Sequence, residues 1–179
     1  FEFGAVCKSL HQYLQDFVIT SSRWFTFGIY SVVFTILKSS AKYCNIHIGI
    51  AVDTEDGLVV PVLKSANELS FEEIGSKILD LADKARNKKL LTKDLTGATF
   101  SISSLGKIGG TGFTPIINPP EVGILSISRT KKIIELQNNE IISNNILPVA
   151  LSYDHRVING GDAGRFLFYV KQKAEGELD

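Results

Sequence analysis

The chain has 179 residues, 44% of them hydrophobic and 21% charged, with nineteen basic residues balancing nineteen acidic ones. That length and composition fit one globular domain with a full core. The charge balance argues against a general nucleic-acid surface or an anionic-membrane surface.

The predicted elements begin with helices over 5–19 and 23–38. The second contains the apolar run 24–37, which is too short for a spanning helix and reads as a buried core helix. Cys7 and Cys44 form neither a disulfide framework nor a metal-ligand spacing and read as reduced core thiols. The sequence starts at Phe1 and contains no methionine, so it reads as a piece of a longer protein. In NIHIGIAVD, 45–53, Ile46, Ile48, Ile50 and Val52 alternate with period two, predicting a half-buried strand. TEDG at 54–57 is turn chemistry, and LVVPVL, 58–63, is the returning partner. Pro61 lacks an N–H and belongs at an edge or an unpaired ladder position.

Residues 67–90 predict a helix. Ser70 is its N-cap, Glu73 at N3 completes a capping box, and Leu69 and Ile74 form a hydrophobic staple. Ile74, Ile78, Leu81, Ala82 and Ala85 share one face. Lys84, Arg86, Lys88 and Lys89 gather at the negative end of the helix dipole, so the basic run needs no nucleic acid to explain it. GATFSISSLG, 97–106, predicts a strand with Phe100 and Ile102 on one face and Ser101 and Ser103 on the other. A loop follows, then strands over 121–128 and 146–154 separated by a hairpin around Asn138 and Asn139. A closing helix spans 161–174, with Asp162 near its start and Phe166, Leu167 and Val170 on its apolar side. The mixture of elements predicts a mixed sheet with helices on a face.

Three candidates for chemistry stand out. His155 leaves a strand just before a helix, where a rigid sheet can present a group that titrates near neutrality. The plainer reading is a histidine satisfied by Asp154 or a nearby carbonyl. Asn159 lies four residues on, where its amide can face the same crevice. Ser103, on the non-core face near a strand end, can donate to a developing oxyanion, or it can simply face solvent. GKIGGTG, 106–112, fits no nucleotide-binding fingerprint and reads as turn material. Asp83-Lys84-Ala85 also occurs at lipoylation sites, where the lysine tops a hairpin, but here it lies inside a helix. His11 and His47 are isolated and read as structural.

NIHIGIAVDTEDGLVVPVLK, KARNKKLLTKDLTGATFSISSLGKIGGTGFTPIINPPEVGILSIS and LSYDHRVINGGDAGRFL together resemble the acyltransferase core of 2-oxo acid dehydrogenase complexes, the dihydrolipoamide acyltransferases. The last block resembles the family's H-x-x-x-[DN]-G signature, and the three cover 43–168 in the family's order. The resemblance implies an α/β fold: a chloramphenicol acetyltransferase-like two-layer sandwich, a mixed β-sheet with helices packed on one face. It treats 1–179 as one catalytic core domain, with 1–42 matching poorly and the family's PxFN-like strand missing between Leu37 and Tyr43. Lipoyl and peripheral-subunit-binding domains, upstream in the family, are absent from this chain.

The implied function is acyl transfer between dihydrolipoamide and coenzyme A. The central block is most similar to the acetyltransferases of pyruvate dehydrogenase. Branched-chain and succinyl transfer, or a non-catalytic scaffold, are the alternatives. The implied roles are His155 as general base, Ser103 as oxyanion donor and Asn159 as holder of the loop. Asn159 stands where most members have Asp. Coenzyme A and the lipoyl group are substrates, and no metal is needed. The implied partners are two further copies in a homotrimer, a 24- or 60-subunit core built from such trimers, and the pyruvate dehydrogenase and dihydrolipoamide dehydrogenase components through the absent domains. Neither nucleic acid nor membrane is expected. Bacterial cytoplasm, mitochondrial matrix and plastid all suit the reading.

Overall fold

The computed structural model describes residues 45–105, 110–137 and 140–175. The two helices expected before residue 39, the apolar run 24–37, both cysteines, His11 and part of the glycine-rich loop lie outside the described residues.

The strand expected over 45–53 forms as two strands. β1 (Ile48–Ile50) pairs parallel with β5 (Phe100–Ser104) and antiparallel with β4 (Val62–Leu63). β2 (Val52–Thr54) pairs with β3 (Gly57–Val59) in a separate ribbon. The change of partner occurs at Ala51. The Ile50 N–H donates to the Pro61 carbonyl at 2.8 Å, and the Ala51 N–H donates to the Ile102 carbonyl at 3.0 Å. Gly57, at φ 117°, closes the β2–β3 turn in a conformation that glycine adopts freely. Pro61 lies beside β4, the outer strand, as its missing N–H requires.

The main sheet has the order β4-β1-β5-β6-β9, with β6 (Gly123–Ile127) parallel to β5 and β9 (Val149–Tyr153) antiparallel to β6. The strand expected over 146–154 is interrupted at Leu147–Pro148. Between β6 and β9, β7 (Lys131–Gln137) and β8 (Glu140–Ile146) form the expected hairpin. This hairpin is a sheet of its own. Ile134, Leu136 and Ile141 share one of its faces and are 70–77% exposed.

α1 (Phe71–Arg86) starts at the expected capping box. Ser70 Oγ accepts the Glu73 N–H at 3.2 Å, and Glu73 Oε2 accepts the Ser70 N–H at 2.7 Å. Such a cap stabilises a helix by about 1 kcal/mol. The helix is shorter than 67–90 because Ala66–Glu68 forms a separate 3₁₀ turn and Lys88 turns to φ 56°. α2 (Gly160–Glu175) closes the described chain.

Ile74 and Ile78 of α1, with Ala163, Leu167 and Val170 of α2, join the core formed by Ile48, Ile50, Ile102, Leu125, Ile127, Val149 and Leu151. Burying one such side chain is worth roughly 1.5–3 kcal/mol. Phe100 meets Phe166 of α2 edge to face at 5.9 Å. The result is the mixed sheet with helices packed on it that the pattern of elements predicts, in the two-layer α/β arrangement that the resemblance implies.

The opposite sheet face differs from expectation. In β1, Gly49 is buried along with its apolar neighbours, and Ser101, on the face opposite Phe100 and Ile102, is fully buried as well. Register places Gly49, Ser101, Ile124 and Ser152 in one row and Ser103, Ser126 and Ala150 in the next. Small side chains let the loop before β6 lie close: Ser126 Oγ donates to the Phe113 carbonyl at 2.9 Å.

Candidate active site

β9 delivers His155 to a turn whose flanks are fixed. The Asp154 N–H donates to the Val122 carbonyl at 2.9 Å, and the Asp154 carbonyl accepts the N–H groups of Val157 and Ile158, each at 3.0 Å. Ile158 is buried in the core and anchors the far side. The Asp154 carboxylate takes the Arg156 N–H at 2.9 Å, Nε at 2.9 Å and Nη2 at 2.6 Å. These bonds, the side-chain ones foremost, lower the Asp154 carboxyl to about 2. His155 is therefore bracketed by an ion pair between its two neighbours. Its ring is exposed and lies 6.1 Å from the Tyr153 ring, tilted by 48°. An exposed imidazole at a fixed strand exit can exchange a proton with a ligand.

Asn159 caps α2. Its Oδ1 accepts the N–H of Gly161 at 3.0 Å and of Asp162 at 3.4 Å. Aspartate and asparagine are about equally good in this role, so the cap tolerates either residue. Gly161 keeps the space beside Asn159 open: a Cβ there would come within 3.2 Å of Asn159 Oδ1 and 3.3 Å of Arg165 Nη1, so those side chains would have to shift slightly.

Ser103 is half-buried. It is not brought to His155. Ser103 is in register with Ser126 and, through it, with Ala150, whereas His155 follows Tyr153, whose rung pairs with Gly123. Three residues of rise and two strand spacings put Ser103 and Tyr153 on the order of 14 Å apart.

His47 is structural, as expected: its Nδ1 accepts the Ser65 N–H at 2.9 Å. Lys84 lies in α1, paired with Asp80 at 2.5 Å, so Asp83-Lys84-Ala85 is helical and not a hairpin tip. Among the described residues no group of three or more His, Cys, Asp or Glu side chains could hold a metal ion. No described helix is long and apolar enough to cross a membrane.

The sequence reading missed Glu121, which follows the two prolines before β6. Glu121 is only 9% exposed, and burial raises its carboxyl above the usual range, offset in part by Ser101 and Asn118. Even so, neither Glu121 Oε2 nor Ser101 Oγ has a partner in hydrogen-bonding geometry. No local pattern marks a glutamate that turns inward.

The family model for 2-oxoacid dehydrogenases acyltransferase (catalytic domain) matches residues 35–176. The chain belongs to this family. The match extends beyond 43–168 at both ends. This acyltransferase domain is 53% identical over 129 residues to the dihydrolipoyllysine-residue acetyltransferase component of the pyruvate dehydrogenase complex of Pseudomonas aeruginosa, covering 72% of this chain and 24% of that one. The chain thus spans about a quarter of that relative's length.

Among solved structures, it resembles Azotobacter vinelandii dihydrolipoamide acetyltransferase with a TM-score of 0.79 and 31% identity, covering 97% of this chain and 84% of that one. That structure belongs to an investigation of the role of a serine, a histidine and an asparagine in catalysis. Those three are separated along their chain as Ser103, His155 and Asn159 are along this one. The acyltransferase domain also resembles the cubic core of the pyruvate dehydrogenase multienzyme complex, with a TM-score of 0.70 and 34% identity, covering 99% of this chain and 70% of that one.

Proposed function

We propose that the domain is the acetyltransferase core of a pyruvate dehydrogenase complex and moves an acetyl group between dihydrolipoamide and coenzyme A. The observation that carries this reading is the presentation of His155, exposed at a strand exit with both neighbours locked. A free thiol has a pKa near 8.5 and is mostly protonated at neutral pH. His155 takes the thiol proton as the sulfur attacks the thioester carbonyl, and the carbonyl π pair moves onto oxygen. Ser103 donates a hydrogen bond to that oxyanion. Collapse reforms the carbonyl and breaks the other C–S bond, and the departing sulfur recovers the proton from His155. Asn159 holds the turn by capping α2. Coenzyme A and the lipoyl group enter as substrates, and the lipoyl group is carried on a separate domain.

We place Ser103 and His155 of one site on different chains. The distance between their rungs within one protomer supports this, since a hydroxyl must sit near 3 Å from the oxyanion to act on it. A closed homotrimer gives every His155 a neighbouring Ser103. The likeness to a cubic core supports assembly of such trimers into a hollow particle with 24 or 60 copies, to which pyruvate dehydrogenase and dihydrolipoamide dehydrogenase bind through other domains. The two organisms named above are bacteria, which favours a bacterial cytoplasm over the mitochondrial matrix or a plastid.

The test is transfer from acetyl-CoA to dihydrolipoamide. His155→Ala should lower kcat about 10²–10⁴-fold, and Ser103→Ala about 10²–10³-fold. Equal background rates in wild type and His155→Ala would instead favour a scaffold, and a fully active His155→Ala would remove His155 as the base.

A further inference from the structure

We propose that Glu121 is a positioning residue for His155, its buried side chain anchoring the segment whose Val122 carbonyl holds the backbone just ahead of that histidine. This rests on the reading of His155 as the base. Glu121 turns in toward the row of small residues where Ser101, 0% exposed, leaves its hydroxyl without a partner. Gly49 makes that room, since a Cβ there would stand 2.4 Å from Ser101 Oγ.

The anchor is doubled. Glu121 Oε1 accepts Asn118 Nδ2 at 3.3 Å, and the Glu121 N–H donates to the Asn118 carbonyl at 3.0 Å. One residue on, the Val122 carbonyl takes the Asp154 N–H at 2.9 Å. The next rung pairs Gly123 with Tyr153, whose ring lies against His155. Any shift of Glu121 therefore passes through a single peptide to the turn that carries the imidazole. An apolar side chain would fill this space without the desolvation cost of a carboxyl, so packing alone does not explain a glutamate here.

The experiment uses the assembled particle and reads kcat, KM, thermal midpoint and the rate at which diethyl pyrocarbonate modifies His155, the last by peptide mass spectrometry. Glu121→Ala should lower kcat about ten- to a hundredfold, as expected of an ångström-scale misplacement. It should leave KM nearly constant and change the His155 modification rate severalfold. Glu121→Gln, which keeps both the length and an acceptor for Asn118, should recover most of kcat. Ser152→Ala, which removes another unpartnered hydroxyl from the same sheet row, should match wild type. If Glu121→Ala does not assemble, Asn118→Ala cuts the same tether and should move kcat and modification in the same directions by less. Wild-type modification of His155 in the variant that assembles would overturn the proposal, as would a loss that Glu121→Gln does not restore. The modification rate needs no turnover, so it separates failure of this proposal from failure of the catalytic reading, which His155→Ala tests alone.

Discussion

Ser103 shares a row of the sheet with Ala150, while His155 lies past the far end of the same strand, beyond Tyr153. If each site joins the serine of one chain to the histidine of the next, two dead variants should repair each other. Ser103→Ala and His155→Ala, dissociated, mixed in equal amounts and reassembled at random, should regain about a quarter of wild-type activity, because each site draws its two groups from different subunits. Neither variant should recover when reassembled alone. A mixture as inactive as its parents would place both groups on one chain.

The bracket around His155 carries a pH signature. A carboxyl lowered from 3.8 to about 2 adds stability above 3.8 and loses it as pH falls through about 2. Wild type should therefore exceed Asp154→Asn in urea midpoint at neutral pH, and the gap should close between pH about 4 and about 2. Arg156 is 89% exposed, so solvent screening keeps the gap small. A gap constant over that range would remove the pair from the account.

Asn159→Ala should cost about 1 kcal/mol through loss of the α2 cap, lowering the thermal midpoint by roughly 2–4 °C. Asn159→Asp should melt at or slightly above wild type, since it caps equally well and adds negative charge at the positive end of the helix. It should also retain transferase activity. An inactive but stable Asn159→Asp would show that the amide does more than cap.

Gly49→Ala should destabilise by about 1–3 kcal/mol, because its methyl would meet Ser101 Oγ at 2.4 Å and Val60 Cγ1 at 2.9 Å. Adding Ser101→Ala should relieve the first contact and restore part of the loss. A double-mutant cycle by denaturant titration reads this coupling. Strict additivity of the two substitutions would rule it out.

The elements that the sequence revealed are those governed by local chemistry. The capping box at Ser70 and Glu73 forms as read, because both halves lie within one turn. The apolar stripe of α1 reaches the core through Ile74, Ile78 and Ala85. The exchange of partners at Ala51 was hidden, because alternation records which way a side chain points and not which strand its backbone meets. The burial of Ser101 and Glu121 was hidden for a related reason: it depends on how the loop before β6 folds back over the second sheet face, as the Ser126–Phe113 bond shows, and not on alternation within a strand. At the site, strand exits and spacing drew attention to His155, Asn159 and Ser103, and the resemblance supplied their roles. The ion pair beside His155 and the capping role of Asn159 depend on backbone geometry that spacing does not convey.

The β7–β8 hairpin bears on how the chain is made in a cell. A newly made copy shows water the side chains of Ile134, Leu136 and Ile141 on a two-stranded ribbon that pairs with no other described strand. Lys131 and Lys132 stand at the ribbon's base, and lysines at such edges generally discourage edge-to-edge sticking. During strong overproduction such exposed apolar surface invites aggregation, so the yield of usable protein should fall first in variants that neutralise those two lysines.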